Sequence, residues 1–252
     1  MTALVIGATG KTGRRVVEAL RARDFDVRAA GQAGVIYLVG PGKLARPGLL
    51  VEAFLARLPG VSRVVALSDI EAATVDDDTW PNREIERAVQ RSGKEWTVLR
   101  SNWFHQNFTE VPLFTAAMHA RGEIVAPVGE GRVSFIDAAD VAEAAAVTMT
   151  TDGHDGQAYL LTGPQALTFG QVAAALTKAG RSVRHVDVAP GDMTASLTAM
   201  GLPAPVVELF RFLFRQIRDD RNSEVTDTVE KLTGRPARSL AAFLAASLKE
   251  DA

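Results

Sequence analysis

The chain contains no cysteine. Disulfides, thiol nucleophiles and cysteine-ligated zinc are therefore excluded together. Its four histidines, His105, His119, His154 and His185, lack the spacing of metal ligands, so no metal is expected. No Gly-x-Ser-x-Gly elbow is present, which removes serine hydrolase chemistry. Neither sign of charge dominates: 28 Lys and Arg face 30 Asp and Glu, scattered without a basic stripe. No global field recruits nucleic acid, which is not an expected partner. Apolar runs fall short of the roughly 18 residues of a membrane span. The opening residues also lack a charged n-region followed by an apolar h-region. The expectation is a soluble cytoplasmic protein with no membrane partner.

What is present is a core. Apolar residues make up 47% of the 252, enough for one large α/β domain or two modest ones. Strand and helix signals alternate over the first hundred residues. Continuous apolar runs at 3–8, 35–39, 63–67 and 96–99 read as strands buried on both faces. Helical periodicity at 11–23, 49–58 and 82–91 separates most of them. This rhythm predicts a Rossmann-type parallel sheet with helices on both faces. Beyond residue 103 it loosens: helices near 111–120, 140–149 and 169–179 mix with strands near 123–128, 158–162 and 183–188. The expected organisation is a dinucleotide-binding core over 1–150 and a small C-terminal substrate lobe over 151–252, packed as one unit. Residues 206–217 place many apolar side chains among Arg211, Arg215 and Arg218, which suits core, lid or subunit interface.

The most specific signal is Gly7-Ala8-Thr9-Gly10-Lys11-Thr12-Gly13, directly after a strand and before a helix. The first glycine permits a tight turn, the second lets backbone approach a pyrophosphate, and the third lets helix and strand pack closely. The helix N-terminus adds unpaired N–H groups and partial positive charge. The competing reading is a tight strand–helix turn without a ligand. It is not a Walker loop, because no Gly-Lys-Ser/Thr follows at the required spacing.

The next stretch departs from the pattern. A dinucleotide fold supplies an acid for NAD or an arginine for NADP about 20 residues past the glycines. No Asp or Glu lies between Asp26 and Glu52, but Arg28 is present. The preference is for NADP(H), with Lys11 a second phosphate partner; Arg28 on a solvated strand face is the alternative. Segments 26–30 and 35–39 both read as strands, yet only four residues separate them. That is hairpin length, whereas parallel neighbours need a crossover of a dozen residues or more. Three readings stand: 26–30 is a loop, the two segments pair antiparallel, or a helix and strand are missing. The Rossmann sheet is thus expected to be shortened after its first βα unit.

With these residues in view the chain resembles the NmrA-like branch of the atypical short-chain dehydrogenase/reductases. Within it, the chain is similar to the quinone reductases and the ergot-alkaloid reductases of agroclavine dehydrogenase type. The carriers are Gly-Ala-Thr-Gly-Lys-Thr-Gly-Arg-Arg-Val at 7–16, Ile-Tyr-Leu-Val-Gly-Pro at 36–41 and Val-Val-Ala-Leu-Ser at 64–68. Further carriers are Trp-Thr-Val-Leu-Arg-Ser-Asn-Trp-Phe-His-Gln-Asn-Phe at 96–108, Phe-Ile-Asp-Ala-Ala-Asp-Val-Ala at 135–142, Tyr-Leu-Leu-Thr-Gly-Pro at 159–164 and Leu-Thr-Gly-Arg-Pro-Ala-Arg-Ser at 232–239. Their order and spacing together carry the resemblance. Family members have an additional helix and strand between the segments at 26–30 and 35–39, so the resemblance implies weakened or lost adenosine binding.

The resemblance also implies where ligands sit. Gly7, Thr9, Gly10, Lys11, Thr12 and Gly13 would hold the pyrophosphate, Arg28 the 2′-phosphate, and Val39 and Ser68 the nicotinamide. Ser68 matches the short-chain family's serine, but the catalytic Tyr and Lys would fall at Asn82 and Glu86, which cannot replace them. Hydride chemistry would then need a quinone or an iminium ion, which requires no Tyr-Lys proton relay. Asn102 and His105 are the further catalytic candidates. His105 suits a general acid near physiological pH or a surface or capping histidine. Trp103, Phe104 and Phe108 form a substrate wall or pack in the core. The expectation is an NAD(P)H-dependent oxidoreductase acting on a small molecule as monomer or homodimer. A cofactor-independent cyclase or isomerase and a non-catalytic NADP sensor are the alternatives.

Overall fold

The computed structural model describes residues 2–27, 35–39, 46–74 and 80–250, with 35–39 and 248–250 described by backbone alone. They form two compact units that interleave along the chain. The first comprises Met1–Asn102, Ala138–Thr162 and Thr226–Ala237; the second comprises Trp103–Asp137, Gly163–Val225 and Arg238–Ala252. The expected boundary after residue 150 lies inside a segment of the first unit, because a strand at Gln157–Leu161 completes that unit's sheet.

In the first unit β1 (Thr2–Val5) leads to α1 (Lys11–Arg21), then β2 (Asp26–Val27), β3 (Val35–Val39), α2 (Pro47–Ala56), β4 (Arg63–Asp69), α3 (Glu71–Thr74), α4 (Pro81–Gln90) and β5 (Glu95–Ser101). The chain then enters the second unit with α5 (Asn107–Glu110), α6 (Pro112–Arg121), β6 (Glu123–Val125) and β7 (Arg132–Val133). It returns with α7 (Ala138–Thr150) and β8 (Gln157–Leu161). The second unit resumes with β9 (Leu167–Thr168), α8 (Phe169–Lys178), β10 (Arg184–Val186), α9 (Pro190–Ala199) and α10 (Ala204–Arg218), and ends with α12 (Leu240–Glu250), after α11 (Thr228–Thr233) of the first.

The sheet runs β2-β1-β3-β4-β5-β8, every pair parallel. It is the expected Rossmann-type arrangement. Alternate residues of each strand face opposite helix layers. Leu4, Val64 and Ala66 meet Val51 and Leu55 of α2 and Ile85 and Val89 of α4 in one apolar cluster. Helices α1 and α7 pack together, and α7 runs against β3, β4 and β5. Six alanines in α7 let it approach closely, and five of them are buried.

The antiparallel reading of segments 26–30 and 35–39 is overturned. Both strands pair parallel with β1, one on each side: Val27 and Val35 each lie opposite Ala3. A buried strand such as β1 has two ladder edges to satisfy, and β2 and β3 take one each instead of pairing with each other. The connection at 28–34, and Arg28 within it, lie outside the described residues.

The second unit has its own core. Phe108, Phe114, Phe135 and Phe169 meet edge to face or tilted, with ring centroids 5.2–6.1 Å apart. Val172, Leu176, Leu197, Val207, Phe214 and Ile217 extend the cluster. Helix α8 starts at Thr168, whose hydroxyl accepts from the Gln171 N–H while the Gln171 side chain accepts from the Thr168 N–H, a reciprocal capping box.

Candidate functional site

Strand β1 ends early, at Val5, because Gly7 turns the chain at φ 78°, a conformation L side chains rarely adopt. The Gly10 N–H closes this turn on the Gly7 carbonyl at 2.9 Å. A Cβ at Gly13 would sit 2.1 Å from the same carbonyl oxygen, so only glycine lets α1 pack here. Gly7, Thr9 and Gly10 are exposed, and α1 has neither a side-chain cap nor an acid in its first turn. Arg14 donates its N–H to Gly10 O at 3.1 Å, while Thr12 and Gly13 at the first turn are buried. An uncapped helix start without an acid, behind an exposed glycine turn, is the setting an anion requires. The residues fit the pyrophosphate of a dinucleotide.

Strands β3, β4 and β5 leave the sheet at the same edge, since all are parallel to β1. Val39 ends β3 opposite Leu67, and its side chain lies outside the description. Ser68 is buried and opposes Arg100 across the β4–β5 ladder. This register puts both side chains on Glu86 of α4. Ser68 Oγ donates to Glu86 Oε1 at 2.6 Å, and Arg100 donates through Nε to Oε1 at 3.0 Å and through Nη2 to Oε2 at 2.7 Å. Hydrogen bonding to Glu86 raises the Arg100 pKa above its ordinary value, against the effect of burial.

Asp69, next along β4, accepts from Trp80 Nε1 at 3.0 Å, Asn82 Nδ2 at 2.6 Å and the Ala72 N–H at 2.9 Å. Burial pushes the Asp69 carboxyl above its usual range, these three donors pull it down, and the charge of Glu86 adds to the rise. The positions that the resemblance assigns to a catalytic Tyr and Lys are thus tied up in structural bonds. Asn82 holds Asp69, and Glu86 holds Ser68 and Arg100. Sequence reading found Ser68 and the misfit at Glu86 but missed Arg100 and Asp69. The one signal available was the shared register of two parallel strands, which is visible only once their pairing is known.

Asn102 is buried and donates its N–H to Leu161 O at 3.2 Å, closing the end of the first unit's sheet. The remaining candidates belong to the second unit. Trp103 is half-buried, its ring 6.1 Å from those of Phe114 and Phe214. Phe104 is half-buried and bridges to Ile136. Phe108 is fully buried at the centre of the phenylalanine cluster and presents no face to a ligand, so of the two readings of this residue the structure selects core.

His105 is 1% exposed and tilted over Phe243. Burial lowers its pKa to about 4, although Asp137 and a bond to the Phe135 backbone pull the other way. Burial thus favours the neutral imidazole, and its Nδ1 has no hydrogen-bond partner among the described residues. The surface alternative fails, since the residue is buried. No group of metal-binding side chains occurs among the described residues, and none of their helices is long and apolar enough to cross a membrane.

No family model matches the chain. Among curated proteins it is 34% identical to the NAD(P)H azoreductase of Xenophilus azovorans, over 95% of this chain and 96% of that one. Its fold matches the Escherichia coli NADPH-dependent quinone oxidoreductase complexed with NADPH, with a TM-score of 0.82, 24% identity and coverage of 98% and 100%. It also matches the negative transcriptional regulator NmrA in complex with NADP, with a TM-score of 0.72, 16% identity and coverage of 99% and 96%. The chain belongs to the NmrA-like atypical short-chain dehydrogenase/reductases. At these identities the two solved structures speak for the fold, and the azoreductase carries the membership. In this NmrA-like chain Asn82 and Glu86, at the positions of the wider short-chain family's Tyr-Lys pair, are bonded to Asp69 and to Ser68 and Arg100.

Proposed function

We propose that this protein is an NADP(H)-dependent reductase of conjugated small molecules of quinone, azo or iminium type. The observation that carries the reading is the glycine loop, exposed at Gly7, Thr9 and Gly10, in front of the start of α1, which has no side-chain cap and no acid in its first turn. The names of the azoreductase and quinone oxidoreductase relatives support it. A nicotinamide cofactor, when bound, supplies a hydride. The protein's part is to hold the pyrophosphate with the Gly7–Gly13 backbone and Lys11, and to flank the nicotinamide with Val39 and Ser68. Acceptor contact at the sheet edge of the first unit is assigned to Asn102.

At positions 82 and 86, where the short-chain pattern places a phenol and an ammonium group, Asn82 is bonded to Asp69 and Glu86 to Ser68 and Arg100, and neither supplies a proton to an acceptor. The acceptor therefore takes its proton from water, or, as a cationic iminium, needs none. The adenosine end is proposed to be held weakly. The described sheet ends at the two-residue β2, and the alignment with the azoreductase spans 279 positions, more than this chain's 252 residues.

Calorimetric titration with NADPH, followed by NADPH oxidation against a panel of quinones, azo dyes and iminium salts, tests the reading. Binding with turnover is expected. No heat and no thermal shift at millimolar cofactor would end it. Turnover that survives removal of all nucleotide would transfer the fold to a cofactor-independent isomerase or cyclase. Equal affinity for both redox forms without turnover would make the protein a sensor.

A further inference from the structure

Helix α10 carries two faces. Val207, Phe214 and Ile217 are buried in the second unit's core. Glu208, Arg211, Phe212 and Arg215 recur at three- and four-residue spacing, which places them on a common stripe. That stripe borders a cavity of about 320 Å³ that Met193, Phe214, Pro127 and Pro190 also line. The volume is at the small end for a small-molecule site.

The charges around it are unequal. Arg211, Arg215 and Arg218 line the cavity against the single carboxylate of Glu208. Glu208 binds Arg211 at 3.0 Å. Arg218 is engaged by Asp187 at 2.7 Å and by the Pro127 carbonyl at 2.9 Å. Arg215 has no carboxylate partner among the described residues and lies over the Phe212 ring, 5.7 Å from its centroid. A cation resting on an aromatic face beside apolar side chains retains free N–H donors for an anion and a flat surface for a ring.

We propose that this cavity binds a small planar organic anion: an aromatic body against Met193 and Phe214, and a carboxylate or sulfonate on Arg215, with Arg211 as second donor. The site lies wholly within the second unit and does not depend on nucleotide binding. A neutral aromatic of the same size would leave the Arg215 donors to water and gain only the apolar contact.

Anilinonaphthalene sulfonate is the probe, with phenylnaphthylamine as its uncharged counterpart, titrated against the full chain without nucleotide. Trp103 lies against Phe214, so the part of the tryptophan-to-probe energy transfer that is lost in Trp103→Phe, with Trp80 and Trp96 retained, reports occupancy of this cavity. The expected result is saturable one-to-one binding of the sulfonate that weakens about tenfold in Arg215→Gln, the loss of a charge-assisted hydrogen bond at a partly exposed site. Arg211→Gln is expected to weaken it less, and neither change should alter the uncharged compound. Both arginines are exposed, so the variants should keep the parent's circular dichroism and melting temperature. Absence of saturable binding, affinity unchanged in Arg215→Gln, or equal affinity for the uncharged compound would overturn the proposal.

Discussion

Glu86 and Arg100 form a two-pronged ion pair, each carboxylate oxygen taking one guanidinium donor, with Ser68 as third donor to the same carboxylate. The Glu86 side chain is 4% exposed and that of Arg100 24%. Removing one partner of such a pair leaves an uncompensated charge, which costs more than the pair itself contributes. Glu86→Ala is expected to lower unfolding free energy by about 2–3 kcal/mol, reduced from the fully buried case because Arg100 reaches solvent. Joint replacement, Glu86→Met with Arg100→Met, should restore most of the loss in urea melts. A double variant no more stable than the single one would show that the charges themselves hold α4 to the sheet.

The glycine loop is tested by contrasting two glycines. Gly13→Ala drives a Cβ to 2.1 Å from the Gly7 carbonyl, whereas a Cβ at Gly60 meets nothing within 4 Å. Gly13→Ala should cost about 2 kcal/mol or more through backbone displacement and reduce NADPH affinity at least tenfold. Gly60→Ala should leave both within error. Thermal melts and calorimetric titration of the two variants decide it.

His105 sets a pH dependence. Its folded pKa of about 4 lies below the ordinary value of 6.5, so between these values the unfolded chain binds the extra proton. Stability from this residue is full above pH 6.5 and declines as pH falls toward 4, by up to about 3 kcal/mol. His105→Leu removes that titration, and its stability should fall less than the parent's over the same window. Parallel losses in parent and variant, measured by denaturant melts at several pH values, would show that His105 is already charged in the fold.

Phe108 serves packing. Phe108→Ala empties the middle of the ring cluster and should cost about 3–5 kcal/mol. If the variant still folds, its KM for any accepted substrate should stay within about twofold of the parent's, since the ring is buried against Phe114, Phe135 and Phe169. A large KM change without loss of stability would return Phe108 to the acceptor site.

Much of the architecture was legible because it rests on local pattern. Period-two and period-3.6 hydrophobicity located the sheet and its helices, and the glycine triplet marked the turn before α1. These features depend on residues close in sequence and on steric limits that hold for any chain. The side-chain chemistry was less legible. His105 carried no mark of its burial, and Asn82 and Glu86 read as defects rather than as partners of Asp69 and Arg100.

The amino-acid order alone determined that a strand must break at Gly7 and that Gly13 must lack a side chain, since backbone sterics allow little else. It also determined that no thiol could supply the chemistry. Only the tertiary structure decided that Val27 and Val35 flank Ala3 from opposite sides, that Arg100 meets Glu86, and that Arg215 lines a cavity. Each of these depends on which distant segments pair and in what register. That choice is made by burial of the whole core, because only the assembled sheet and helices remove enough apolar surface from water to hold those groups in place.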